Sequence, residues 1–320
     1  MDRDSGAEAN DMRVSSIDIG TNTILLLVAD IGVNGIARVV HDEQVIARIG
    51  KGVDENRVIN RETFHRAADF LRKYGGTSTR LGAEKIIAVG TSALRDAANR
   101  EEFREFILKE TGIAIEILTG NDEAEWTCRG AVVGIDTSFG NFTVLDIGGG
   151  STEIIAAAQS GILDKVSLDI GCVRVTERLL QTSPPTDQAL AETRAFIRQQ
   201  LESVSFIRSS IPLAVGVAGT VTTLAAMMLQ LPQYDPKKVH GYELQLDDIV
   251  SSFNLLKGKT LDDIKAIPQI SAGRADILLA GIMILLEFMD AARLRTIVVS
   301  DRGLRYGILL REVEKGGSSH

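Results

Sequence analysis

The sequence predicts an α/β protein built as two similar lobes that face each other across a cleft. Three observations carry this expectation. At 320 residues the chain exceeds one average domain and suits two. Short apolar strand-like runs alternate with amphipathic helices in both halves. Finally, the chain repeats itself: residues 14–23 line up with residues 142–151, each an apolar strand ending in Asp-Ile-Gly, then a small polar turn and a second apolar strand. Asp18 and Asp146 occupy the same place in the two copies, about one domain length apart, so the two turns are expected to point into one cleft.

In the first half, strand-like runs cover 13–19, 24–31 and 37–47. A helix is expected after Asn60, where Phe64, Ala67, Ala68 and Leu71 share one face. A strand over 85–89, a helix over 100–110 and a strand over 113–118 complete the unit. The second half repeats the order. Strands are expected over 142–147, 152–158 and 163–168, then helices over 173–180 and 188–207, with Pro184-Pro185 breaking the chain between them. A strand over 213–217 leads into a helix over 220–229, followed by helical segments 246–256 and 261–266. A long helix over 274–291, a strand over 296–299 and a helix over 302–313 finish the chain. The expected division is a first lobe over 12–127, joined by the C-terminal helix 302–314, and a second lobe over 128–301. The patternless polar residues 1–11 and the tail 315–320 are expected to be disordered.

Composition narrows the function classes. With 44% hydrophobic and 24% charged residues the chain is an ordinary globular protein with apolar material for two cores. No apolar run reaches the roughly 18–20 uncharged residues of a membrane-spanning helix, and the start lacks the basic region of a signal peptide. Cys128 and Cys172 form no CxxC pair. A cytoplasmic protein with no membrane partner is the expectation. The net charge of −8 argues against nucleic-acid binding as the main task. It leaves a phosphorylated substrate open, because backbone amides, a divalent cation and a few arginines hold phosphate within an acidic protein. A polyanion would need a local basic strip.

The richest segment is 146–153. Gly148, Gly149 and Gly150 between two apolar strands let the backbone approach a ligand closely, and consecutive amides there can form an anion nest. Ser151 and Thr152 add hydroxyls, and Asp146 at the strand end is placed to hold a metal. Glu153 corresponds to Leu25 in the first copy; a carboxylate where the repeat carries leucine marks a functional candidate, since buried carboxylates are rare unless paired or metal-linked. In the first copy, Asp18 with Thr21, Asn22 and Thr23 forms a plausible second phosphate loop, although the same residues suit a plain hairpin. Gly219 and Thr220 open a helix after a buried strand, which reads equally as an anion site or as a capped strand–helix junction. Arg95 can offer a planar fork to phosphate oxygens. Glu123 lies in an acidic first helical turn, where local pattern alone favours simple stabilisation of the helix dipole.

Together these motifs resemble the exopolyphosphatase / guanosine pentaphosphate phosphohydrolase family. The likeness runs from Ser16-Ile17-Asp18-Ile19-Gly20-Thr21-Asn22-Thr23 through Thr91-Ser92-Ala93-Leu94-Arg95, Thr119-Gly120-Asn121-Asp122-Glu123-Ala124, the 146–153 segment and 216–220 to Val239-His240-Gly241-Tyr242 and Val299-Ser300-Asp301-Arg302-Gly303-Leu304. The resemblance implies two ribonuclease-H-like lobes of the actin-like ATPase superfamily and metal-dependent hydrolysis of a terminal phosphoanhydride. It implies Mg2+ or Mn2+ near Asp146, Glu153 and Asp18, and makes Glu123, with Glu153, the catalytic pair, against the local reading of Glu123 as a helix cap. Inorganic polyphosphate or guanosine pentaphosphate is the implied substrate, and a homodimer the implied assembly. The resemblance also marks the chain as the short form, without further C-terminal helical domains. Two rivals share the scaffold: a non-catalytic sensor of guanosine tetra- or pentaphosphate, and a phosphotransferase of the same superfamily.

Overall fold

The computed structural model describes residues 11–138, 140–208 and 211–317. Most of the tail segments expected to be disordered, 1–10 and 318–320, therefore lie outside the described residues; residues 315–317 belong to the last helix.

The first sheet is built from β1 (Met12–Ile19), β2 (Thr23–Gly32) and β3 (Gly35–Ile46). A short α1 (Val53–Asn56), the long α2 (Arg61–Arg80), β4 (Lys85–Gly90), α3 (Ser92–Asp96), α4 (Arg100–Thr111) and β5 (Ile115–Ile117) follow. Next, α5 (Gly120–Ala131) crosses to the second sheet and its strands β6 (Phe142–Ile147), β7 (Thr152–Ala158) and β8 (Gly161–Leu168). After these come α6 (Cys172–Leu179), α7 (Asp187–Glu202), β9 (Leu213–Val217), α8 (Ala218–Met228), α9 (Pro236–Val239), β10 (Glu243–Gln245), α10 (Leu246–Leu256) and α11 (Leu261–Lys265). The chain closes with α12 (Leu278–Ala291), β11 (Thr296–Val299) and α13 (Leu304–Gly317).

The repeat is realised as one topology used twice. The first sheet has the order β3-β2-β1-β4-β5, and β8-β7-β6-β9-β11 reproduces it in the second, with β10 added outside β11. β1 pairs antiparallel with β2 and parallel with β4, and β6 does the same with β7 and β9, the ribonuclease-H-like arrangement. The registers agree as well: Asp18 faces Leu25 across β1–β2, and Asp146 faces Glu153 across β6–β7.

Local chemistry explains the boundaries. The Asn60 side chain accepts from the Thr63 amide at 2.8 Å and starts α2, and Thr119 accepts from the Asp122 amide at 3.1 Å and starts α5. The helix expected over 188–207 divides into α7 and a separate 3-10 turn, Ser205–Arg208. The strand expected over 113–118 shortens to β5, an edge strand with one partner. The short elements α1, α3, α9 and β10 have no sequence-level expectation, because three to five residues are too few to show a period.

Two cores result. Phe64, Leu71, Tyr74 and Phe103 are fully buried behind the first sheet, where Phe64 and Phe103 meet edge to face at 5.1 Å. Leu145, Ile154, Leu224, Ile284 and Phe288 centre the second. Ala124, Cys128 and Ala131 on α5 pack onto the second sheet. By contrast, Tyr306, Leu309, Leu304 and Ile308 on α13 return to cover the first. These two helices touch backbone to backbone: a Cβ at Gly307 would lie 1.8 Å from the Trp126 carbonyl oxygen, and one at Gly130 would lie 2.1 Å from that of Gly303. No helix among the described residues is long and apolar enough to cross a membrane.

Candidate active site

Both Asp-Ile-Gly turns open on one cavity of about 480 Å3 between the lobes. They are built alike: the Gly20 amide donates to the Thr23 carbonyl at 2.9 Å, and the Gly148 amide to the Ser151 carbonyl at 3.0 Å. They also approach each other closely. A Cβ at Gly149 would come within 2.7 Å of Thr21 Cβ, which is why a glycine stands there. The third wall is the start of α8. Its cap, Val217, supplies no side-chain acceptor, and Ala218 takes a left-handed φ of 67°, leaving the Gly219 and Thr220 segment at the helix's positive end on the cavity. This arrangement favours the anion-site reading of that junction.

Four carboxylates crowd the cavity and its floor. Asp18 and Asp146 end the two central strands, Glu123 stands in the first turn of α5, and Glu153 lies beside Asp146. Glu123 is 7% exposed and Glu153 1%. Burial raises the pKa of all four. Asp18 is pushed up to about 7 by burial, with Arg305 pulling the other way. Burial and then the Glu153 charge raise Glu123 well above the usual range, against the pull of Arg95, whose Nη1 donates to Glu123 Oε2 at 2.6 Å. Asp146 is raised by burial, then by Glu153 and Asp18. In Glu153 burial is opposed by the hydroxyls of Ser167, 2.6 Å from Oε1, and Ser151.

So much acid with so little cationic compensation is costly unless protons or a cation supply the balance. Asp18 Oδ1 is buried without a hydrogen-bond partner, as an oxygen reserved for an ion or its water would be. Among the described residues no group of three His, Cys, Asp or Glu side chains converges tightly enough to hold an ion alone. The donor set is nevertheless all oxygen, and magnesium-like ions take one or two carboxylates with water and phosphate oxygens completing the shell. The residues present fit such an ion.

Asp18 supplies a test. In the unfolded chain Asp18 ionises near the ordinary aspartate value of 3.8, whereas the folded chain retains the proton to about 7. Metal-free protein should therefore lose stability as pH rises through this window, by on the order of 2–4 kcal/mol from this residue. In Asp18→Asn that loss should disappear. Urea unfolding in EDTA between pH 4 and 8 measures it, and parallel profiles for the two proteins would contradict it.

The predicted site residues do not all reach the cleft. Thr21, Asn22, Thr23, Gly148, Gly149, Ser151, Gly219 and Thr220 line it, together with Asp18, Glu123 and Asp146. Thr152 does not: it is fully buried and its hydroxyl donates to the Ile170 carbonyl. Gly150 faces away, its carbonyl accepting from Arg174 Nε at 2.7 Å. Arg174, which also pairs with Asp54 and Asp96, thereby ties the glycine turn to the opposite lobe. Glu153 lies under the floor, and Arg95 is turned toward Glu123 and Leu118 at the cleft's edge.

Sequence reasoning overlooked Arg274. Its guanidinium lies against Gly219, where a Cβ would sit 2.8 Å from Cζ, and it donates to Gln44 Oε1 at 3.0 Å. It lines the cleft with no carboxylate ion pair among the described residues. The available signal was its expected position at the start of helix 274–291, where a positive charge opposes the dipole. The helix in fact begins at Leu278, and Arg274 occupies the preceding turn. His240 Nδ1 lies 3.4 Å from Ser300 Oγ, and Arg302, which also lines the cleft, donates from Nη1 to the Val133 carbonyl at 2.8 Å, pinning the turn before α13 to the end of α5.

Duplicated ribonuclease-H-like lobes that aim glycine turns, a helix N-terminus and clustered acids into one cleft place the protein in the actin-like fold class. The chain belongs to the Ppx/GppA phosphatase family, whose model matches residues 27–316. It is 36% identical to exopolyphosphatase 2 of Mycobacterium tuberculosis over 316 residues, 93% of this chain and 98% of that one. Among solved structures it resembles the Aquifex aeolicus Ppx/GppA family member, with 32% identity, a TM-score of 0.80 and coverage of 97% of this chain and 99% of that one. An exopolyphosphatase from Cytophaga hutchinsonii matches with a TM-score of 0.88 and 28% identity over 95% of this chain and 98% of that one.

Proposed function

We propose that this protein hydrolyses the terminal phosphoanhydride of inorganic polyphosphate and releases orthophosphate, with a divalent cation as cofactor. The observation that carries this reading is the convergence of Glu123 and both Asp-Ile-Gly turns on a single cavity. The names of its relatives agree, since two of those compared are exopolyphosphatases.

The terminal phosphoryl group is held by the amides of the 148–149 turn and of Gly219 and Thr220, with the Thr21 and Ser151 hydroxyls beside them and Arg274 countering its charge. Asp146 and Asp18 would hold magnesium or manganese, which when bound would neutralise charge on the phosphate oxygens. Glu123 Oε accepts a proton from a water aligned with the bridging bond. The water oxygen bonds to the terminal phosphorus, and the bridging oxygen leaves with the shortened chain. Arg95 orients the Glu123 carboxylate and favours its ionised form, as a base working near neutrality requires. Phosphoryl transfer depends chiefly on such positioning and charge stabilisation.

A second substrate, guanosine pentaphosphate, is favoured by Tyr234, which lines the cleft, is 39% exposed and offers a nucleoside base an aromatic face. Phosphate release should be assayed side by side from tripolyphosphate, long-chain polyphosphate and guanosine pentaphosphate. Release without any acceptor separates a hydrolase from a phosphotransferase, and binding without release would favour the sensor. EDTA should abolish release and added magnesium or manganese restore it; full activity in EDTA would remove the cation from the mechanism.

A further inference from the structure

A second cavity, of about 850 Å3, lies on the outer edge of the first lobe, between α4 and α13 and over the edge strand β5. We propose that this groove is a binding track for the distal phosphates of a polyphosphate chain whose end is cut at Glu123, an inference that rests on the function proposed above.

Charge is the first support. Six cationic side chains line the groove against three carboxylates, in a protein whose net charge is −8. This is the basic strip that an acidic polyanion-binding protein needs. Arg311, buried and bidentate to Glu116 at 2.8 and 2.7 Å, is committed to the fold, but other pairings in the groove are open to competition. Arg104 meets Glu101 at 2.7 Å and Lys85 pairs with Glu312, but Arg104 and Lys85 are 39% and 49% exposed. Exposed pairs of this kind contribute little to stability, so phosphate oxygens can replace the carboxylates. Arg100, 49% exposed, reaches Glu101 only at 3.8 Å.

Position is the second support. Arg95 lines the groove and Glu123 lines the cleft, so their 2.6 Å ion pair is the partition between the two spaces. Arg100 Nη1 donates to the Arg95 carbonyl at 3.0 Å, which continues the line of arginines outward from that partition. A chain with its terminal phosphoryl group in the cleft would pass Arg95 and run along Arg100 and Arg104. The lining chemistry favours polyphosphate over single-stranded nucleic acid, because among the described residues no aromatic ring lines the groove for a base to stack on.

The test uses the full chain carrying Arg100→Glu and, separately, Lys85→Glu; Arg104→Glu is less suitable because Arg104 Nε also holds the Ile115 carbonyl at 2.8 Å. Each variant should raise KM for long-chain polyphosphate about fivefold and reduce the slope of log affinity against log salt by about 1. Specificity for long chains over tripolyphosphate should fall in the same proportion. Folded variants with unaltered long-chain KM and salt slope would overturn the track. Displacement of long-chain polyphosphate by single-stranded RNA at equal phosphate concentration would overturn the ligand assignment. If the unaltered protein releases no phosphate from either polymer, it is the catalytic reading that fails. The track is then decided by direct titration with long-chain polyphosphate, and binding by Arg100→Glu as tight as by the unaltered protein would refute it.

Discussion

Glu123→Gln is expected to lower the kcat for phosphate release by about 10³-fold, within the range a positioned general base contributes. The substitution is nearly isosteric and leaves both glycine turns, the start of α8 and Arg274 in place, so polyphosphate binding should change by no more than a few fold. It also removes one of four mutually repelling carboxyls, so the metal-free protein should become more stable near neutral pH. Burst and steady-state phosphate assays together with equilibrium titration separate these effects. Turnover within tenfold of the unaltered protein would exclude Glu123 as the base, and joint loss of binding and turnover would make it a structural acid. Its pKa is raised by burial and by Glu153 and held down by Arg95. Activity should therefore climb with pH on the acid side, and Arg95→Gln should move that limb to higher pH.

Gly307→Val is expected to produce the largest stability change. The Trp126 carbonyl on α5 would lie 1.8 Å from the new Cβ, so α13 and α5 would have to separate. Overpacking of this kind costs about 3 kcal/mol or more where backbone, rather than a flexible side chain, is the obstacle. A fall in Tm of about 6–12 °C would follow for a lobe of this size. Gly316→Ala in the same helix is the control: nothing lies within 4 Å of a Cβ there, and alanine should be neutral or stabilising through helix propensity. A Gly307→Val protein that melts with the unaltered one would show that the two helices are not in fixed contact. Because α5 packs on the second sheet and α13 on the first, loosening their contact should also misalign Glu123 with the turns and reduce kcat.

The legible part of the site was the part written twice. Aligning Asp18 with Asp146 set Glu153 against Leu25, and the registers of β1–β2 and β6–β7 place those residues in equivalent pairs. The period-two pattern of apolar strands survives in a linear sequence because alternate side chains face one core. Arg274 shows the opposite case. It precedes its helix by a turn, and only the approach of Gly219 and Gln44 from distant segments makes it part of the cleft. Thr152 fails for the same reason. Its hydroxyl belongs by composition to a phosphate loop, but Thr152 is fully buried and that hydroxyl donates to the Ile170 carbonyl.

Glu123 marks the boundary between the two kinds of knowledge. Its local pattern is that of an acid stabilising a helix start, and Thr119 does cap that helix. Its place opposite two glycine turns depends on α5 crossing from one sheet to the other. By itself the sequence determined the α/β class, the duplicated Asp-Ile-Gly turns and the strands that carry them, because these rest on short-range periodicity and on repetition. The tertiary structure alone decided which polar groups are spent on the fold and which face the cleft, that Arg95 stands between cleft and basic groove, and that α13 returns to cover the first sheet. Those outcomes depend on contacts between residues far apart in the chain, and burial, charge coupling and hydrogen-bond competition act only once such contacts exist.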